Sequence, residues 1–123
     1  DDAVKETLLN HEQGHYNIVA LPARDTFIEL MQLKTQTFNT NMDAQRAIAR
    51  VWTEGTSKGQ AIQDLYDDER QAHHGDNAAG QTRWDGFIDS AFTTPRTPPM
   101  SAPDGTPYKI PFRSVLTAAG LTF

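Results

Sequence analysis

Leu8-Leu9-Asn10-His11-Glu12-Gln13-Gly14-His15-Tyr16-Asn17-Ile18-Val19 is the stretch whose reading decides the fold. With Val4 before it, the apolar residues Leu8, Leu9, Ile18 and Val19 recur at three- and four-residue steps, the spacing of one face of an α-helix. His11, Glu12 and His15 fall on the same stripe. Pro22 lies inside the pattern and is predicted to kink or end this first helix, because proline supplies no backbone donor. Phe27, Leu30, Met31 and Leu33 then resume the period between Ala23 and Phe38, as a continuation or as a second helix.

Reading outward, Asn39-Thr40-Asn41 is a turn that supplies an N-cap, with Asp43 well placed in the first turn that follows. Ala44, Ala47, Ile48, Val51 and Trp52 keep the helical period, and Ala61, Ile62, Leu65 and Tyr66 keep it again after a weak patch from Gly55 to Gly59. The pattern predicts one long helix from Asn41 to His74 with a loose middle, stopped by Gly75. Trp84, Phe87, Ile88, Ala91 and Phe92 form the cleanest apolar face of the chain and predict a further helix. Trp52, Trp84, Phe87 and Phe92 are expected in the core.

The segment from Thr93 to Pro107 holds five of the seven prolines and is expected to be an irregular loop. In the C-terminal tail from Tyr108 to Phe123, Tyr108 to Phe112 reads as a short extended stretch. Ser114 to Leu121 reads as a short helix capped by Ser114 and closed by Gly120. The 123 residues are expected to form a single domain.

Composition narrows the function. With no cysteine, disulfides and thiolate metal sites are excluded. A net charge of −5 and scattered basic residues argue against a nucleic-acid binder, which needs a clustered cationic footprint. No segment approaches the roughly 20 apolar residues of a membrane span. The motif lies only ten residues from the first residue given, which points to a processed form or to an upstream segment.

His11-Glu12-Gln13-Gly14-His15 is an H-E-x-x-H motif in helical context. Residues i and i+4 share a helix face, so both imidazoles can reach one ion. Zinc in catalytic sites commonly takes three protein ligands and leaves a fourth position for water, and Glu12 is placed to take a proton from that water as general base. Gly14 weakens the helix by about 1 kcal/mol relative to Ala, which suggests that something approaches closely there. The remaining histidines, His73 and His74, are the candidates for a third ligand. Helical continuation puts His73 on the inward stripe and His74 about 100° away. Glu69 is the carboxylate alternative, and Glu54 a distant one. Tyr66 and Arg83 are candidates to stabilise the oxyanion of a tetrahedral intermediate. Asp67-Asp68-Glu69 lacks the alternating ligands and glycine turn of a calcium loop and reads as a solvated helix face.

The core H-E-Q-G-H resembles the H-E-Q-G-H-F-D-I signature of a bacterial family described as predicted secreted zinc-dependent proteases. A second segment of that family, Y-D-x-E-T-x-H-G, is similar to Tyr66-Asp67-Asp68-Glu69 followed by His74-Gly75. Here the His-Gly pair lies two residues further from the tyrosine, and Arg70 stands where threonine is expected. The resemblance covers about Leu8 to Phe92. It implies a zincin-like α+β metallopeptidase domain with a small sheet ahead of the motif helix; no such sheet is read here, and the fold is expected to be mainly helical, with the His11/His15 face packed against the end of the Asn41 to His74 element. The resemblance also implies a Zn2+ cofactor, a peptide or protein substrate and a secreted or periplasmic location. By this likeness the third ligand is His74. Asn17 replaces the family's acidic residue, so a carboxylate orienting the ligand histidines is sought in Asp85 or Asp89. Two other expectations stand beside hydrolysis: a structural zinc module without catalysis, and a helical interaction domain without metal.

Overall fold

The computed structural model covers residues 1–123 and contains four helices. We label them α1 (Asp2–Gln32), α2 (Asn41–Asp67), α3 (Ala78–Thr93) and α4 (Phe112–Ala118), with single 3-10 turns at Leu33–Thr35 and His73–Gly75. The protein is mainly helical. The α+β detail is not supported: no strand is present, and pairing is limited to isolated bridges between Pro95 and Lys109 and between Ser101 and Pro107.

α1 and α2 form an antiparallel pair whose close approach depends on residues without bulk. Gly14 faces Tyr66, Pro22 faces Gly59, and Thr26 faces Gly55. α1 does not end at Pro22 but continues through it to Gln32. Pro22 is buried, Gly59 packs against it, and the Thr26 hydroxyl donates to its carbonyl at 3.0 Å. The Gly55 to Gly59 patch is likewise not loose. It is continuous helix, because these glycines are where α1 sits. Thr40 is the N-cap of α2 and accepts from the Asp43 amide at 3.0 Å.

The long helix ends earlier than the pattern suggests, at Asp67 rather than His74. Asp68 turns extended and its carboxylate accepts from the Arg70 amide at 2.9 Å, a local bond that competes with helix continuation. The Ala72 amide then reaches back to the Tyr66 carbonyl at 3.2 Å and closes the reversal. His73 and His74 therefore lie on a loop, not on a helical stripe.

The core gathers Ile18 and Leu21 of α1, Ile62 and Tyr66 of α2, Trp84, Ile88 and Ala91 of α3, and Phe112 and Leu116 of α4. Trp52 and Phe92, expected there, are instead 60% and 47% exposed. Val4, Leu8 and Leu9 also face outward. The proline-rich stretch is irregular and is held by bonds such as Arg96 N to Tyr108 O at 3.0 Å. The last helix begins at Phe112, not Ser114, and its cap comes from a distant residue. Asp25 of α1 accepts from the amides of Phe112 and Arg113, each at 3.1 Å. No helix of the structure is long and apolar enough to cross a membrane.

Candidate metal centre

His11 and His15 stand one helical turn apart on the face of α1 that meets the C-terminal end of α2. Their Nε2 atoms converge on one atom, Asp67 Oδ1, at 2.9 and 2.8 Å. His74 brings a third nitrogen toward the same oxygen, Nδ1 at 3.5 Å. Asp67, expected with Asp68 and Glu69 on a solvated helix face, instead meets the motif histidines, a role that reading the sequence missed. Its signal was its place four residues after Gln63 and one after Tyr66, on the face of α2 turned to the motif.

The outer nitrogens of the two rings fix what the inner ones present. Gln81 donates through Nε2 to Asp85 Oδ1 at 2.9 Å and to Tyr66 Oη at 2.8 Å, so its Oε1, 2.8 Å from His11 Nδ1, must accept. Gln63 donates through Nε2 to the His15 carbonyl at 3.1 Å, which leaves its Oε1 to accept from His15 Nδ1 at 2.5 Å. With both Nδ1 atoms carrying protons, neutral imidazoles direct bare Nε2 lone pairs at a carboxylate. Such an arrangement requires positive charge at that point, as a proton on each ring or as one shared cation.

Donors bound tetrahedrally to zinc at roughly 2.0 to 2.1 Å lie about 3.3 Å apart, so the Nε2 to Oδ1 separations of 2.9 and 2.8 Å would have to widen around an ion. His11, Asp67 and His74 bring ligand atoms within 4.8 Å of one another, as do His11, Glu12 and His15, so the donor set fits such an ion. The C-terminal end of a helix favours a cation, and Asp67 is the last residue of α2. Burial opposes the charge of Asp67. In the state where the rings carry the positive charge as protons, the hydrogen bond from His11, the charge and hydrogen bond of His15, and the charge of His74 outweigh it and hold the carboxyl below its ordinary range.

Other residues have more particular places. Glu12 is exposed, and a carboxylate oxygen of it lies within 4.8 Å of a ring nitrogen of His11 and of His15. Tyr66 is fully buried and stacks on His11 with ring centres 4.4 Å apart. Its hydroxyl donates to the His11 carbonyl at 3.0 Å and is committed to the helix interface, not free for an oxyanion. Burial, with the charges of Asp85, Asp67 and Glu12, pushes that hydroxyl up to about 12 against the opposing bond from Gln81. Arg83 is similarly engaged, by Gln71 Oε1 at 2.5 Å.

Asp85 supports His11 through Gln81 and is itself held by Asn10 at 3.0 Å. Asp89, Glu69 and Glu54 contribute no donor to the converging set, and neither does His73. His73, His74 and Gly75 have φ of 44°, 54° and 90°. Such values cost a non-glycine residue about 1 to 3 kcal/mol and persist where surrounding structure imposes them. Gly75 lies close against α1: a Cβ there would come within 3.3 Å of Thr7 Cγ2 and 3.4 Å of His11 Cβ, so the absence of a side chain lets the loop sit over the motif.

Neither known protein families, nor curated proteins, nor solved structures contain a match to this chain.

Proposed function

We propose that the protein is a zinc-dependent hydrolase of peptide or similar amide bonds, with His11, His15 and Asp67 as the metal-holding residues. The observation that carries this reading is the convergence of two imidazole Nε2 atoms on Asp67 Oδ1, at 2.9 and 2.8 Å, with both outer nitrogens bonded to glutamine oxygens. Three ligands leave one position for water or substrate, the arrangement of catalytic zinc sites. The likeness of His11 to His15 to the H-E-Q-G-H signature supports the same reading. When bound, the ion supplies Lewis acidity that polarises the scissile carbonyl and makes water acidic enough to attack near neutral pH.

The chain's own residues do the rest. Glu12, exposed beside the ligand pair, accepts the proton lost by the attacking water and returns it to the departing amine nitrogen. Gln81 and Gln63 hold the rings in the tautomer that presents Nε2. His74, 64% exposed, stands over Asp67 on the open side, where its ring can donate to the carbonyl oxygen as negative charge develops.

The test is zinc content with hydrolysis of a fluorescein-labelled unfolded protein. One zinc per chain is expected, with Glu12→Gln retaining it and losing at least about a hundredfold in rate, the usual contribution of general acid–base catalysis. Undiminished hydrolysis by Glu12→Gln would sink the assignment. A second reading, a structural zinc module, is favoured by His74 Nδ1 at 3.5 Å, which would make a fourth protein ligand. It predicts zinc content without hydrolysis, and zinc loss on His74→Ala.

A further inference from the structure

Just beyond His15 the α1/α2 interface opens into a groove of about 320 Å³, at the lower end of the roughly 300 to 1,000 Å³ of small-ligand sites. Ile18, Pro22 and Phe27 of α1 and Trp52, Gly59 and Gln63 of α2 line it. No lining residue is charged, in a chain where 22% of residues are. Its hydroxyls are already used: Thr26 donates to Pro22 O and Thr56 to Trp52 O, each at 3.0 Å. What remains is apolar surface, flanked by Phe27, 57% exposed, and Trp52, 60% exposed. Gln63 belongs to both places, since it lines the groove and holds the His15 ring at 2.5 Å.

We infer that the groove binds the apolar side chains of an extended substrate segment next to the bond presented at His11 and His15. The inference rests on the hydrolase reading and names its substrate class: peptides with a run of apolar residues on one side of the scissile bond. From Gln63 to Trp52 the helix spans about 17 Å at 1.5 Å per residue. An extended chain advancing roughly 3.3 Å per residue covers that distance in about five residues. Continuity through Gln63 is what assigns the groove to the substrate, because an occupant lying along it ends beside the ligand pair.

The probe is a blocked octapeptide containing Leu-Phe-Leu-Val-Leu, titrated into zinc-loaded Glu12→Gln protein, with a counterpart carrying Ser and Lys at those five places. Trp52 is exposed and Trp84 fully buried, so a blue shift of tryptophan emission reports the groove. A saturable shift is expected with the apolar peptide, at least tenfold weaker binding of the polar one, and no shift in Trp52→Phe. Gly59→Leu should weaken binding at least tenfold with zinc retained. A Cβ at 59 would lie 3.7 Å from Pro22, an ordinary contact, and unchanged helix content by circular dichroism checks that the helix pair accepts the longer side chain. A zinc-loaded protein that shows no shift, or equal shifts with both peptides, overturns the inference. So does self-association in sedimentation that shields Trp52 without peptide, which gives the groove to a second copy. Selective binding by protein that holds no zinc supports the groove and removes the hydrolase reading, so the two failures are separable.

Discussion

The Tyr66 hydroxyl fills the space that a side chain at Gly14 would need: a Cβ there would lie 2.0 Å from Oη. Because the same hydroxyl donates to the His11 carbonyl, the central glycine of the motif sets how closely the ligand helix meets α2. Gly14→Ala is therefore expected to destabilise the protein by about 1 to 3 kcal/mol through overpacking. Gly59→Ala, with 3.7 Å to Pro22, should stabilise it by up to about 1 kcal/mol through helix propensity. Urea unfolding of both variants measures the contrast. Equal effects would mean that the interface is looser at Gly14 than this geometry requires.

Gln63 and Gln81 determine which nitrogen each imidazole offers. Removing such an outer partner typically lowers metal affinity 10- to 100-fold. Gln63→Leu should show this loss with little change in folding, since Gln63 is only partly buried. Gln81→Leu should lose both affinity and stability, because it also leaves Tyr66 and Asp85 without their amide donor. Competition with a chromophoric zinc chelator gives the affinities. Unaltered affinity in Gln63→Leu would refute the orienting role.

Part of this cluster was legible from the chain, and the failures of the reading have physical causes. The histidine pair and Glu12 could be placed because a five-residue motif is local, and helical spacing alone puts His11 and His15 on one face. Asp67, the third residue of the proposed site, could not, because its place depends on where α2 ends. Asp68 stops the helix through a side-chain bond to the Arg70 amide, at a place with neither glycine nor proline to announce it. Pro22 misled in the other direction, since tertiary packing against Gly59 holds it inside a helix that its local chemistry would break. Trp52 fits the helical period yet lies outside the core. Periodicity finds a face, and the α1/α2 pair leaves that part of it uncovered.

Asp67 and His74 should respond differently to substitution if the site is open. Asp67→Asn keeps the shape but removes the charge beside two imidazoles, and at least a hundredfold loss of zinc affinity is expected. His74→Ala should retain zinc and lose hydrolysis by about 10- to 100-fold, as its ring meets the reacting carbonyl rather than the ion. Zinc titration and initial rates on the same preparations measure both. Loss of zinc in His74→Ala would instead identify four protein ligands and a structural centre.

Asp25 offers a test of the fold away from the metal. Burial raises its carboxyl above the ordinary 3.8, although the amides of Arg113 and Phe112 and the charges of Arg24 and Arg113 pull it back. A carboxyl raised on folding contributes stability that is fully present below its unfolded value and is lost as pH rises through its folded one. The wild type is therefore expected to lose stability relative to Asp25→Asn as pH climbs from about 3.8 through the raised value, and then to hold a constant difference. Asp25→Ala, which leaves the amides of Phe112 and Arg113 uncapped, should cost about 2 to 4 kcal/mol at neutral pH. Denaturant midpoints across acid pH give the comparison with Asn. A difference that grows in favour of the wild type as pH rises would show that the arginines outweigh burial at this cap.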